Sequence, residues 1–329
     1  MQAIVLNAFG APLTLQEIAR PIAGPGQVLV RVHASGVNPL DTKIAAGKAG
    51  HAQAVLPAVP GIDLAGVVDS VGADVQGFAP GDRVYGMTGG VGGVAGSLSE
   101  YVAVDARLLA IMPEQLPMRD AAALPLIFIT AWEGLVDRAH AGPGKTVLVH
   151  GGAGGVGHMA VQLAVALGAK VYATGSSGQR AVIESLGATF IDRETPVDDY
   201  VQQYAGGDGF DIVYDTVGGE VLDASFRAAR RYHGHVVSCL GWGTHALAPL
   251  SFRAATYSGV FTLMPLLTGA GREHHGDIMR EASALIAAGK LRVLLDSVRY
   301  TLTADSVSAA HQALIERTAS GKVVVEVTA

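Results

Sequence analysis

The rhythm of apolar and polar positions changes near residue 120. Before it, short β-rich runs (AIVL, QVLVRVHASGV, AGVVDSVG, DRVYGM, SEYVAV) are separated by Gly, Pro and Asp, with GPGQ and APGDR as turn signals. Few long helical periods interrupt them, and this spacing predicts a compact, mostly antiparallel β domain. Ala121 to Val136 reads as a helix broken near Pro125. From Lys145 onward the pattern alternates: TVLVHG, Val156 to Leu167, KVYATG, Arg180 to Leu186, ATFID, Val197 to Tyr204, DIVYDTVG, Val221 to Ala229, HVVSCLG and GVFTLM. Strand-helix alternation of that length predicts an α/β domain, a doubly wound parallel sheet with helices on both faces. After Gly271 come a helix (Gly276 to Ala288), SVRYTL, a helix over Ser306 to Arg317 and a last strand, KVVVEV. A strand with no helix after it fits a return to the β domain. The expected division is a discontinuous first domain, residues 1–122 and 265–329, around a second at 123–264.

Composition agrees with two folded domains. The chain has 329 residues, and a domain takes about 150. Half the residues are apolar, 16% are charged and mean hydropathy is +0.35, so large cores are expected and disorder is not. The formal net charge is -6 with no run of Lys or Arg. Nucleic acid is therefore not an expected partner. The single cysteine, Cys239, closes no intrachain disulfide and builds no thiolate cluster, which points to a reducing compartment. The opening MQAIVL has no basic n-region, and the longest apolar stretches, Ala121 to Trp132 and Gly259 to Leu267, fall short of the roughly 18 to 20 residues of a membrane span. The expectation is a cytoplasmic chain away from membranes.

The strongest motif is VLVHGGAGGVG, residues 147–157. An apolar strand runs into Gly151, Gly154, Gly155 and Gly157, and from Val156 the chain continues at helical spacing. Such a turn lets backbone approach a pyrophosphate, and the N–H groups and dipole of the helix start favour its charge. Inside a strand-helix repeat it reads as a dinucleotide site, the alternative being a tight turn that only packs. An NAD site carries Asp or Glu about 20 residues beyond the first glycine to hold the ribose hydroxyl; here 158–183 hold no acid. The expected spot reads ATGSSGQR, with Thr174, Gly175, Ser176, Ser177 and Arg180. Small hydroxyls and an Arg suit a 2'-phosphate, so NADPH is preferred over NADH. Arg180 also reads as a solvated first-turn helix residue.

The segments GVNPLD (36–41), PGIDLAGVV (60–68), GDRVYG (81–86), SEYVAV (99–104), TAWEGL (130–135), VLVHGGAGGVG, DIVYDTVGG (211–219) and GKVVVEV (321–327) carry a resemblance. Over essentially its whole length the chain resembles the medium-chain dehydrogenase/reductase superfamily, and within it the zinc-independent, zeta-crystallin-like quinone oxidoreductases. The resemblance implies a GroES-like β domain beside the Rossmann domain. Zinc-dependent alcohol dehydrogenases of the superfamily place Cys in the first of these segments and His-Glu in the second; this chain has Asn38, Ile62 and Asp63 there. The lobe holding a structural zinc in those relatives is absent too, since 87–96 is glycine-rich and lacks a thiol. His233 with His235, and His274 with His275, read as surface or helix-end histidines, so no metal is expected. Without a Lewis acid an unactivated carbonyl is a poor hydride acceptor. A quinone or α,β-unsaturated carbonyl delocalises the developing charge onto an oxygen that hydrogen-bond donors stabilise.

The resemblance also places residues. Asn38 becomes the donor to the carboxamide or to the acceptor's oxygen, or else an Asn-Pro turn residue. Asp41 orients that loop, joins a proton path or caps a helix. Thr130 faces the nicotinamide, or is a buried helix threonine. Val217 and Gly218, and Leu240 and Gly241, follow strands at the carboxyl side of the sheet, where ligands bind; Phe261 and Leu263 end the last strand. Lys322 matches a basic position near the cofactor phosphates, and reads equally as a solvated strand-start lysine. Two departures stand out: Lys43 where quinone oxidoreductases commonly have Tyr, and Asp192 near the adenine ribose. Tyr85 and Tyr101 read as cleft aromatics or as core. A serine hydrolase is not supported, because GSSG at 175–178 lacks the G-x-S-x-G spacing. The expected activity is zinc-independent, NADPH-dependent hydride transfer to a quinone or other conjugated carbonyl. The alternatives are an enone, alkenal or enoyl-thioester reductase, or an NADPH-binding protein without turnover. Apolar GVFTLMPLL is expected as an edge strand joining a homodimer.

Overall fold

The computed structural model describes residues 1–327. The chain divides into two units: one of Met1–Leu126, Leu263–Ala288 and the chain from Arg292 on, the other of Ile127–Thr262 with Gly289–Leu291. Among the described residues no helix is long and apolar enough to cross a membrane.

The first unit is built on Gln27–Val37, eleven residues whose side chains are mostly buried. It pairs antiparallel with Asp63–Val71 along one edge. Its other edge is shared: Gln27 to Arg31 pair with Tyr101–Asp105, and Ala34 to Val37 with the C-terminal strand Val323–Glu326. Arg83–Met87, Ala110–Ile111 and Tyr300–Thr301 complete a seven-stranded sheet. β-branched and aliphatic residues suit this sheet because both faces are covered. Ile4, Leu6, Leu98, Val307, Val323 and Val325 form one of its cores.

The second unit is a six-stranded parallel sheet in the order Thr189–Asp192, Lys170–Gly175, Thr146–His150, Ile212–Asp215, His235–Ser238, Thr256–Gly259. Chain order reverses between Thr146–His150 and Ile212–Asp215, the position at which such sheets open a crevice for ligands. Leu148, Tyr172, Phe210, Val213, Phe226 and Val236 pack below it.

Three local expectations change. The helix expected over Ala121 to Val136 does break near Pro125, which lacks the N–H that a continuous helix needs, but it begins earlier, as Met118–Ala122 then Pro125–Trp132, and ends in a wider turn over Glu133–Arg138. GVFTLM is not a strand. Parallel pairing with His235–Ser238 selects Thr256–Gly259 instead, and the apolar residues beyond it enter the short helix Met264–Thr268, opened by Pro265. The edge strand is thus TYSG and not GVFTLMPLL. SVRYTL contributes only Tyr300–Thr301.

Candidate active site

Val147, Leu148 and Val149 are fully buried and deliver the chain into Gly151 at φ +71°. A side chain there would be strained, and a Cβ would lie 3.0 Å from Val217. Two further glycines are fixed by contact. A Cβ on Gly157 would fall 2.0 Å from the Gly151 carbonyl oxygen, and one on Gly152 would fall 2.5 Å from the Ala173 Cβ. Gly152 is a requirement that the sequence reading missed. Gly154 caps the helix Gly155–Ala166, whose first N–H groups, on Gly155, Val156 and Gly157, lack intrahelical acceptors. Thr174 ties the turn down: its hydroxyl oxygen accepts from the Gly151 N–H at 3.2 Å, and its carbonyl accepts from the Gly152 N–H at 2.9 Å. The same hydroxyl lies 3.2 Å from His150 Nδ1. Buried His150 has no partner at Nε2, and burial holds its pKa down at about 4 against the pull of Asp215. The turn fits a dinucleotide pyrophosphate, since backbone N–H groups face a space from which side chains are excluded.

Gly175 ends the strand beside this turn, where a Cβ would meet Ile183 at 2.5 Å. Ser176 follows and opens a short turn, its N–H donating to Gln179. Ser177 and Arg180 are exposed. The Arg180 guanidinium lies 3.4 Å from Glu184 and over the Phe190 ring at 4.3 Å. Asp192 is the register partner of Gly175, so this acid stands beside the loop. One of its carboxylate oxygens accepts from the Glu194 N–H, which turns it toward its own chain. Arg193 sits next to it, exposed, a second basic candidate.

Buried Asp215 organises the other half of the crevice. One oxygen accepts from the N–H groups of Val217 and Gly218 at 3.0 and 2.9 Å, the other from the Ser238 hydroxyl at 2.7 Å. Ser238 Oγ in turn accepts from the Leu240 N–H at 3.0 Å. One carboxylate thus sets the turns after two strands, and no sequence signal marked it. A Cβ on Gly241 would fall 2.2 Å from the Tyr257 hydroxyl. Phe261 does not end a strand; its ring meets that of half-exposed Trp242 edge-on at 6.3 Å. Leu263 is buried in the first unit at the start of a helix. Thr130 is buried on the helix Pro125–Trp132, its carbonyl accepting from the Tyr214 hydroxyl.

In the first unit, sheet register gathers four polar residues. Val37 ends the central strand, Asp63 begins one neighbour opposite Gly36, and Lys322 stands just before Val323 in the other neighbour, opposite Val37. Asn38 caps the helix Pro39–Ala45. Asn38, Asp41, Asp63 and Lys322 are all at most 5% exposed. Asn38 Nδ2 donates to Asp63 Oδ2 at 2.9 Å, while its Oδ1 accepts from the Lys322 ammonium, which also donates to the Val37 carbonyl at 3.2 Å. The second Asp63 oxygen accepts from the Leu126 N–H at 2.9 Å. Asp41 accepts from the Asn38 N–H at 2.8 Å; it is not the N-cap itself, which is Asn38, but the third helical residue, bonding back to that cap. Burial raises Asp63 to about 6, opposed by Lys322, the Asn38 side chain and the Leu126 N–H; burial also raises Asp41 to about 7, with the Asn38 N–H opposing, Asp63 adding, and Lys322 and the Asn38 side chain opposing further. Burial lowers Lys322, and the two carboxylates offset it.

Of the two readings of Lys322, the solvated strand-start lysine does not hold: its ammonium is buried and bonded to Asn38 and Val37. Tyr85 is core, its hydroxyl bonded to Met279 and Ser283. Tyr101 lies under the Arg20 guanidinium at 3.8 Å. Zinc does not fit at 38, 62 and 63. A site needs three or four converging N, S or O donors, yet Ile62 offers hydrocarbon, and the Asn38 and Asp63 oxygens already accept from Lys322, Asn38 and Leu126. No other group of three His, Cys, Asp or Glu suited to a metal occurs among the described residues.

A parallel sheet with a glycine turn at its chain reversal, carried with a β unit of this kind, is the architecture of a class of two-unit oxidoreductases. Residues 24–114 match the family model described as alcohol dehydrogenase GroES-like domain, and 186–325 that of zinc-binding dehydrogenase. The chain is 36% identical over 317 residues to the 2-methylene-furan-3-one reductase of Solanum lycopersicum, covering 94% of this chain and 74% of that one. It is 31% identical over 332 residues to the quinone oxidoreductase of Homo sapiens, covering 98% and 97%. A spectinabilin polyketide synthase protein, NorB of Streptomyces orinoci, is 38% identical over 280 residues, but the chain spans only 12% of its length. Among solved structures, an alcohol dehydrogenase superfamily protein from Novosphingobium aromaticivorans is 53% identical with TM-score 0.97, covering 100% of both chains. A mycobacterial protein complexed with NADPH is 29% identical with TM-score 0.85, covering 99% and 100%. The chain belongs to the medium-chain dehydrogenase/reductase superfamily.

Proposed function

We propose that this oxidoreductase reduces conjugated carbonyls, quinones or enones, with NADPH and without zinc. The observation that carries the reading is the buried Asn38 amide, held between Asp63 and Lys322 at positions where zinc-dependent relatives carry metal-binding side chains. An amide N–H stabilises a developing oxyanion but does not activate an isolated carbonyl as a metal does. The acceptor must therefore spread its charge by conjugation.

NADPH, when bound, supplies the hydride. Gly151, Gly154, Gly155, Val156 and Gly157 hold the pyrophosphate with backbone N–H groups, and Thr174 keeps that turn in place. Gly175, Ser176, Ser177 and Arg180 receive the 2'-phosphate. Thr130, Val217, Gly218, Leu240, Gly241 and Phe261 border the nicotinamide, orienting it and excluding water. Asn38 Nδ2 donates to the acceptor's oxygen, and water supplies the proton that completes the reduction. The names of the tomato and human relatives and the NADPH-bound mycobacterial neighbour support this choice of acceptor and coenzyme. The exposed edge strand Thr256–Gly259 supports a homodimer, and the lone Cys239 supports a reducing, cytoplasmic setting.

The test is coenzyme oxidation by the purified protein with p-benzoquinone, methyl vinyl ketone and a saturated aldehyde, each with NADPH or NADH and with chelator. The expected result is NADPH consumption by the two conjugated acceptors, indifferent to chelator. A requirement for added zinc, or no turnover with either coenzyme, overturns the reading.

A further inference from the structure

We propose that Asp63 and Lys322 are positioning residues that clamp the Asn38 carboxamide in one orientation, so that its Nδ2 and not its Oδ1 is the end offered to the acceptor's oxygen. The inference rests on the role given to Asn38 above and deepens it by naming what fixes that amide.

An asparagine amide has two nearly isosteric ends, and only one stabilises negative charge. Presented the wrong way round, the Asn38 oxygen would repel the charge that develops on the acceptor. The surroundings forbid that orientation. Lys322 donates to Oδ1 and Asp63 accepts from Nδ2, so a flipped amide would set its NH2 against an ammonium and its oxygen against a carboxylate. Both mismatches would be buried, where the low effective dielectric magnifies them.

The clamp is itself held. Asp63 is tied by the Leu126 N–H, Lys322 by the Val37 carbonyl, and the Asn38 backbone by Asp41. Gly36 makes room for it: a Cβ there would lie 2.2 Å from the Ala122 carbonyl oxygen and 3.1 Å from the Asp63 Cβ. Each bonded partner is a second contact for the residue that touches Asn38, which is how a donor is kept in place before substrate arrives.

The test is a double-mutant cycle. Asn38→Ala, Asp63→Asn and Lys322→Met, and the first combined with each of the others, are measured for kcat and KM with NADPH and p-benzoquinone, for NADPH affinity by titration, and for rescue by Lys322→Arg. Asp63→Asn and Lys322→Met are expected to lower kcat by about 10- to 100-fold, the scale for a misplaced active-site group, with NADPH affinity kept. In the Asn38→Ala background each should cost no more than about 2-fold, because the residue through which they act is gone, and Lys322→Arg should recover most of the kcat loss. If Asp63→Asn leaves Lys322 too poorly paired to fold, Asp63→Asn with Lys322→Met removes both charges together and enters the same cycle. An equal loss of kcat with and without Asn38 overturns the clamp while leaving the role of Asn38 standing. An unchanged kcat in Asn38→Ala overturns both. A readout independent of turnover is the Asn38 side-chain NH2 signal in the coenzyme-free protein: it should be protected from solvent exchange, and Lys322→Met should remove that protection. Protection unchanged in that variant also overturns the clamp.

Discussion

Arg180 is engaged by weak partners only. Its ion pair with Glu184 is exposed on both sides, and such pairs contribute about 0 to 1 kcal/mol; its stacking on Phe190 leaves the guanidinium edge able to bond. A 2'-phosphate can therefore recruit it at little cost. Arg180→Ala is expected to weaken NADPH binding by about 1.5 to 3 kcal/mol, the range for a hydrogen bond to a charged group, and to leave NADH affinity unchanged. Titration of both coenzymes checks this, and an unaltered NADPH affinity would transfer the role to Arg193. The proposal for these residues can be made from sequence because its signal is local: ATGSSGQR shows small hydroxyls, one arginine and no acid. Asp215 was not legible, since its three donors arrive from a turn and from Ser238, which only the sheet order makes its neighbour. The burial of Lys322 against Asn38 was not legible for the same reason. Its position in the last strand could be read, but pairing of that strand with Val37, which delivers the ammonium to Asn38, could not.

At the level of elements, the glycine turn was read from sequence because its requirement is steric and local. Gly157→Ala would set a Cβ against backbone, the Gly151 carbonyl, and backbone cannot rotate away as a side chain can. The expected cost is about 1 to 3 kcal/mol, as for overpacking, with NADPH affinity falling alongside; thermal melting and titration measure the two. A melting temperature equal to wild type would mean that the turn has slack which this geometry does not show. Strand position was less legible. GVFTLM is more apolar than TYSG, but a short apolar run does not separate strand from helix start, and parallel pairing with His235–Ser238 chose the more polar segment. That choice moves the proposed dimer contact to Thr256–Gly259. Thr256 and Val260 donate inward to Gly234 and Ser238, so the alternating N–H of Gly259 points outward. Gly259→Pro removes that outward donor and spares the inner ladder. Sedimentation at micromolar concentration should show a dimer for wild type and a monomer for Gly259→Pro; a wild-type monomer rejects the contact.

For the molecule as a whole, the buried titratable groups give the two units opposite responses to acid. His150, in the second unit, has its pKa lowered by burial to about 4, and His235 is lowered by burial, Lys145 and His140. As pH falls from about 6.5 toward 4, the unfolded chain takes up protons at these sites that the folded unit refuses, so stability is lost. His245, raised by its bond to Asp223, works the other way from a more exposed position. In the first unit His33 and His311 are lowered by burial, but Asp41 and Asp63 are raised to about 7 and about 6. Over the same interval the folded state holds protons there that the unfolded chain releases, so stability is gained as pH falls and offsets the histidines. The second unit should therefore weaken first. Its unfolding can be followed selectively, because both tryptophans of the chain, Trp132 and Trp242, lie in Ile127–Thr262. Between pH 7 and pH 5, His150 alone should reduce the stability seen by tryptophan emission in urea by about 2 kcal/mol, from its shift of 6.5 to about 4. Far-UV circular dichroism, which reports both units, should then lag behind emission at pH 5. In His150→Gln, which keeps a partner for Thr174 but cannot take up a proton, most of the emission shift should vanish. If emission and dichroism move together at pH 5, or if the variant shifts as wild type does, the buried imidazole is not what divides the two units.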